Sequence, residues 1–235
     1  MLEILNQYLY HKIEESDPIL LELEVYAKEH KVPIITKEVA EYLKMMLQIK
    51  KCHNALEIGT AIGYSGIYIA RQITGQLTTI EIDEERFEEA KVNFKKADIS
   101  NVVQILGDAT EKIKEIQENF DFIFIDASKG QYQKFFEDSY PKLNQGGLIF
   151  IDNILFRGYV CEENYPKRFK TLVKKLDEFI SYLYKNHNFV LLPFGDGIGI
   201  GLALARSIFE LQNGTITACN LQNGGACFEI RMYSH

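Results

Sequence analysis

The sequence of 235 residues contains no C-x-x-C pair. Its four cysteines stand at positions 52, 161, 219 and 227, and its five histidines, His11, His30, His53, His187 and His235, fall in no ligand spacing. A zinc site and a disulfide framework are thereby excluded as organising devices, and the thiols are expected to be reduced. Nor is there an excess of basic charge. Twenty-six Lys and Arg stand against 33 Asp and Glu, a formal charge of -7, which is the wrong field for a phosphate backbone, so no nucleic-acid partner is expected. Long hydrophobic runs are missing too: a stretch such as GIGIGLALA falls well short of the roughly 20 residues that span a bilayer. The opening MLEILNQYLYHKIEE carries acids and no signal-peptide core, so the expectation is a soluble, cytoplasmic protein without membrane association. No internal repeat and no low-complexity linker is present. At 46% hydrophobic and 25% charged residues the composition is ordinary for a globular chain, long enough for a full α/β core.

The pattern along the chain changes once. In residues 1–50, Leu2, Leu5, Leu9 and Ile13 recur at helical spacing, Asp17-Pro18 restarts a helix through Tyr26, and Thr36 followed by Glu38 can cap a third containing Tyr42, Leu43, Met46 and Leu47. From residue 55, the strand-like runs ALEIG, LTTIEI, VVQIL, FDFIFID and GGLIFID alternate with helical stretches near 64–73, 84–97, 109–118 and 130–140. Such alternation predicts parallel strands joined by helical crossovers. The runs are apolar throughout, as strands buried on both faces require. After a charged helix near 166–186, FVLLPFGDG and IGIGLALARS stand too close together to pair in any way but antiparallel.

The stretch ALEIGTAIGYSG, residues 55–66, breaks a strand into a Gly-rich turn that feeds a helix. Glu81 follows 22 positions after Gly59, at the end of the next strand. That arrangement lets a ligand approach bare backbone while a carboxylate grips the hydroxyls of a ribose. A dinucleotide site has G-x-G-x-x-G under a pyrophosphate. Here the glycines, Gly59 and Gly63, are spaced more widely, and Glu57 stands two residues before the first. A carboxylate there repels a pyrophosphate and suits a cationic sulfonium with its amino-acid tail, which favours S-adenosylmethionine over NAD.

Asp126 closes FDFIFID, and Asp152-Asn153 closes GGLIFIDN. Ligands sit beyond the carboxyl ends of strands in such sheets, and neighbouring strands lie about 4.8 Å apart, so these three oxygen donors can converge. Two carboxylates and an amide, with no imidazole or thiolate, suit Mg²⁺, Mn²⁺ or Ca²⁺. Residues 152 and 153 can share an ion only if the strand has already ended, because successive strand residues face opposite ways. The alternative is that these side chains cap turns. Lys129 stands three residues after Asp126 at the same mouth, and a lysine beside a dication becomes a usable base near neutral pH. A solvated surface lysine is the other reading.

With these residues assembled, the chain resembles the cation-dependent O-methyltransferases of the caffeoyl-CoA and catechol group. The match runs from about residue 1 to 206, through LEIGTAIGYS, TTIEID, GDA, FIFIDASKGQY, GGLIFIDN and LLPFGDG. The resemblance implies a class I methyltransferase Rossmann-like sheet of seven strands, five parallel plus an antiparallel hairpin, behind the N-terminal helices, in a domain ending near residue 206. It places Glu57, Gly59, Tyr64 and Ser65 near the methionine end of the cofactor, with Thr36 also on the cofactor side. Glu81 falls on the ribose, and Gly107, Asp108 and Ala109 flank the adenine. Asp126, Asp152 and Asn153 fall on the metal, Asp126 also on the cofactor, and Asp126 with Lys129 on the catalytic pair. Phe156 and Asp196 border an aromatic acceptor. Phe156 stands where plant members carry tryptophan, and Ser128-Lys129 follows Ala127 where many relatives have a second acid. The family is typically dimeric, so a homodimer is expected. Arg157, Lys167, Arg168 and Lys170 could attract an anionic acceptor or simply form a solvated face.

The extension 207–235 goes beyond the family's usual end. It resembles the last Gly-rich loop, helix and hairpin of histidine-kinase ATP-binding domains but lacks their Asn-bearing helix. A hairpin of residues 215–219 and 226–230 around Asn223-Gly224-Gly225 is expected instead, packed over a sheet edge or on a partner copy. Two readings of the whole chain stay open beside the first: a metal-independent methyltransferase, and a non-catalytic nucleoside-binding module.

Overall fold

The computed structural model describes residues 8, 11–193, 196–201, 214–220 and 226–232. Two helices precede the sheet. In α1, Pro18–His30, the Asp17 carboxylate accepts the backbone N–H groups of Ile19 (2.8 Å) and Leu20 (3.0 Å), an N-cap with proline at the first turn. The helix runs one turn beyond Tyr26 and ends at Lys31 in the left-handed conformation. Helix α2, Lys37–Lys50, starts after Thr36, whose side chain makes no capping bond, and it buries Val39, Ala40, Leu43 and Leu47. The first expected helix falls mostly outside the described residues. Ile13, at its end, lies beyond the helical residues 11–12.

The sheet consists of β1 (Ala55–Ile58), β2 (Leu77–Glu81), β3 (Val102–Leu106), β4 (Phe120–Ile125), β5 (Leu143–Ile151), β6 (Phe189–Leu192) and β7 (Ile198–Gly201), in the order β3-β2-β1-β4-β5-β7-β6. The first five strands are parallel, and β7 lies antiparallel between β5 and β6. The crossovers carry α3 (Tyr64–Gln72), α4 (Glu84–Lys96), α5 (Ala109–Glu115) and α6 (Tyr132–Ser139), and α7 (Lys170–Asn186) precedes the closing hairpin. This is the Rossmann-like methyltransferase sheet.

Alternation along β4 divides the core. Phe122 and Phe124 pack with Leu43, Leu47, Tyr64 and Phe94 on one face, and Ile123 and Ile125 with Phe136, Phe179 and Leu183 on the other. Strands β1 and β2 are buried at every position, as their unbroken apolar runs require. Strand β3 departs from that expectation, with Val103 and Leu106 each 40% exposed, because it is the edge of the sheet. Strands β8 (Gly214–Asn220) and β9 (Ala226–Met232) form the expected antiparallel hairpin. They make a two-stranded sheet of their own and add no strand to the seven-stranded one. The Asn-Gly-Gly turn between them lies outside the described residues.

From β1 the chain steps outward to β2 and β3, then crosses back to β4 on the other side of β1. The crevice at this reversal, beyond the carboxyl ends of β1 and β4, is where ligands enter such sheets. Gly59 sits at its floor with φ +98°, and a Cβ there would lie 2.1 Å from the backbone oxygen of Asp126. Only glycine allows the turn to approach β4 this closely.

Candidate active site

A cavity of about 480 Å³ opens over the ends of β1, β2 and β4, bordered by Gly59, Ser65, Glu81, Asp108, Asp126 and Asn153. The Glu81 carboxylate ends β2 and is itself held in place. One oxygen accepts the N–H groups of Ile82 and Asp83 (2.9 Å each), and the other that of Ala61 (2.8 Å). A carboxylate has about four lone-pair sites, so roughly one stays open toward the cavity. Gly107 and Ala109 line the same cavity. Asp108 caps α5 by accepting the N–H and hydroxyl of Thr110, both at 2.8 Å.

Glu57 stands apart from these. It is fully buried in β1, does not line the cavity, and accepts hydrogen bonds from the Ser65 hydroxyl and the Thr79 hydroxyl, both 2.6 Å. The Thr60 hydroxyl extends the chain to Thr79. Burial pushes the Glu57 carboxyl up to about 7, against the two hydrogen bonds, which favour its charged form, and with help from the nearby Asp126 and Glu81. An acid whose pKa rises on folding contributes its full share of stability below its unfolded value. That share is lost as pH climbs from about 4.5 to about 7. Glu57→Gln removes this loss. At pH 8 the ligand-free variant is expected to be more stable by up to about 3 kcal/mol, with the gap closing toward pH 4.5. Urea unfolding of both proteins across that range checks it, and a gap independent of pH would refute it.

Asp126 and Asp152 continue two paired strands. The last β4–β5 pair is Ile125 with Ile151. The N–H of Asp152 donates to the Ile125 carbonyl and that of Asp126 to the Ile58 carbonyl, both 3.0 Å. Burial raises the pKa of both carboxyls. Asp152, 2% exposed, rises furthest, because the charges of Asp126 and Asp196 add to its burial, while the Asn153 N–H bond and the Lys129 ammonium oppose the rise. Strand β5 has ended at Ile151, and Asn153 takes the left-handed conformation with φ +58°. The alternation that would send residues 152 and 153 to opposite faces therefore does not apply. Among the described residues no three His, Cys, Asp or Glu side chains form a ready metal cage. The donor set here is two carboxylates and an amide. Two carboxyls whose charged forms burial disfavours, one of them further disfavoured by the other's charge, are short of positive charge, and all-oxygen donors suit a hard dication that keeps some of its waters. The residues fit such an ion.

A second cavity of about 730 Å³ adjoins the first, sharing Tyr64, Asn153 and the segment Pro33-Ile34-Ile35 with it. Asp196 lines it. Tyr64, almost fully buried, donates its hydroxyl to Glu24 (2.9 Å), which pairs with Lys37 (3.1 Å). Two expected residues are placed elsewhere. Thr36 is exposed and lines the second cavity but not the cofactor-side one, because it starts α2, one step past the shared segment. Phe156 lines neither cavity. Its ring is held edge-on by Tyr159 (5.6 Å) and Phe169 (5.1 Å), contacts worth more to an aromatic than a solvent-facing wall. The guanidinium of Arg168 lies over Phe169 at 4.7 Å, and none of Arg157, Lys167, Arg168 and Lys170 lines either cavity. Lys28 and Lys37 border the second cavity.

Sequence reasoning missed the shared segment 33–35, the Glu24–Lys37 pair, Arg86 on the cofactor side and Tyr132 beneath the acids. Only Tyr132 carried a signal, its place at the end of FIFIDASKGQY.

A family model described as O-methyltransferase matches residues 11–206. The chain is 32% identical to a catechol O-methyltransferase of Niastella koreensis over 69% of its own length and 77% of the relative's. It is 27% identical to a caffeoyl-CoA O-methyltransferase of Medicago sativa, over 83% and 92%. A solved structure of a caffeoyl-CoA O-methyltransferase candidate from Staphylococcus aureus superposes with a TM-score of 0.76 at 32% identity, over 84% of this chain and 98% of the other. Turn, sheet and family match agree, and the chain belongs to the S-adenosylmethionine-dependent O-methyltransferases.

Proposed function

We propose that this enzyme methylates one hydroxyl of a vicinal aromatic diol, of the catechol or caffeoyl-CoA kind named for its relatives, and that it requires a divalent cation. The observation that carries the reading is that Asn153 borders both cavities while Asp126 and Lys129 border the first, with Asp152, the residue before Asn153, buried at the end of the strand paired with that of Asp126. A cofactor in the first cavity and an acceptor in the second would face each other across these residues.

Glu81 would accept a ribose hydroxyl through its open lone pair, while Glu57, behind Ser65, adds negative potential beneath the sulfonium. Asp126, Asp152 and Asn153 are the residues that would hold the cation, and the chemistry supplied there is polarisation of a hydroxyl so that its proton leaves near neutral pH. Lys129, half-buried at the rim, takes the proton from the acceptor oxygen. The apolar wall Pro33-Ile34-Ile35 excludes water and holds acceptor and methyl donor in line, the main contribution of a protein to a direct displacement. The homodimer implied by the family resemblance belongs to the same reading and is checked by light-scattering mass.

The test is transfer of labelled methyl to catechol, to caffeic acid and to its CoA ester, with Mg²⁺ and with EDTA. Loss of activity in EDTA, restored by Mg²⁺, is expected. Activity insensitive to the chelator would support a metal-independent enzyme, and cofactor binding with no turnover on any diol would support a binding module.

A further inference from the structure

Tyr132 opens α6, is 1% exposed, and donates its hydroxyl to the backbone carbonyl of Asp152 at 2.8 Å. The other end of that same peptide unit, the N–H of Asn153, donates to the Asp152 carboxylate at 2.8 Å. The Asp152–Asn153 peptide is thus pinned at both ends. Asn153 occupies the left-handed region, which asparagine adopts more readily than other residues with a side chain, and the two bonds select it here. The Lys129 ammonium lies 5.8 Å from the centre of the Tyr132 ring. One side chain therefore ties the turn that carries Lys129 to the turn that carries Asp152 and Asn153.

We infer that Tyr132 is a positioning residue for the cation: its hydroxyl holds the 152–153 peptide in the orientation that lets Asp152 and Asn153 act together. The inference rests on the proposed metal requirement. A buried phenol finds a partner in most folds, so the alternative is a hydroxyl that merely satisfies itself. The two differ in what changes when only the hydroxyl is removed. Outer groups that orient ligands typically govern metal affinity by about 10–100-fold, whereas a packing role lowers stability and every ligand affinity together.

The experiment is Mn²⁺ binding to wild type and Tyr132→Phe, read by the loss of the free-ion electron paramagnetic resonance signal, with S-adenosylmethionine affinity measured by calorimetry on the same samples. The expected result is a Mn²⁺ dissociation constant raised about 10–100-fold with cofactor affinity changed less than about twofold, and an equal shift in the Mg²⁺ concentration giving half-maximal rate. Unchanged Mn²⁺ affinity in the variant overturns the inference and leaves the metal requirement standing. Parallel loss of both affinities assigns Tyr132 to packing and also overturns it. A wild type that binds cofactor but no Mn²⁺ overturns the metal requirement, and this inference with it. Should the phenylalanine variant not fold, Tyr132→Met fills the space with an adaptable side chain and equally lacks the donor.

Discussion

Asp152→Asn is expected to abolish metal-dependent methyl transfer while making the ligand-free protein more stable. The substitution keeps the shape of the side chain and an acceptor for the Asn153 N–H, but it removes a carboxyl whose charged form burial and the neighbouring Asp126 charge both disfavour. Transition-state stabilisation by a bound dication amounts to several kcal/mol, so the rate should fall about 10³-fold. In the ligand-free state the same change relieves buried like-charge repulsion. A gain of about 1 kcal/mol corresponds to roughly 2–4 °C for a chain of this size. Turnover assays with saturating Mg²⁺ and thermal melts in EDTA give the two readouts, whose opposite signs distinguish loss of a ligand from loss of the fold. Asp126→Ala should give the same collapse of activity with cofactor affinity largely kept. Retained activity in both variants would reduce these side chains to turn caps.

Lys129→Ala should lower turnover by about 10²–10⁴-fold, the usual contribution of a positioned proton acceptor, with little change in cofactor affinity. The role assigned to Lys129 exists only while the acceptor hydroxyl is losing its proton. Its ammonium also favours the charged forms of Asp126 and Asp152, so the comparison belongs at saturating metal and across a range of pH, where that second effect is suppressed. Near-normal turnover of the variant at every pH would leave deprotonation to the metal site alone.

The glycine turn after β1 was legible because its requirements are local. Gly59 must be glycine where the chain passes under Asp126, Glu81 must end the next strand, and both follow from a spacing that any βαβ unit imposes. The apolar runs of β1, β2 and β4 marked a parallel sheet for the same reason, and the closeness of β6 and β7 forced an antiparallel pair. Asp126 and Asp152 could be brought together on paper because they end strands that a doubly wound sheet places side by side. What a strand end does next was not legible. The left-handed turn at Asn153 and the withdrawal of Phe156 into contact with Tyr159 and Phe169 are set by packing in the loop after β5, which no periodicity marks.

By itself, then, the sequence determined the parallel α/β sheet, the glycine turn after β1 and the acids at the strand ends, since periodicity and glycine spacing act over a few residues. Only the tertiary structure decided that both Glu57 oxygens are taken up by Ser65 and Thr79, that residues 33–35 form a wall common to both cavities, that β7 inserts between β5 and β6, and that Tyr132 reaches the Asp152 carbonyl. Each of these is a pairing between separate elements of the fold, chosen by which buried polar group or apolar face lacks a partner once the sheet has formed. No local pattern carries that information.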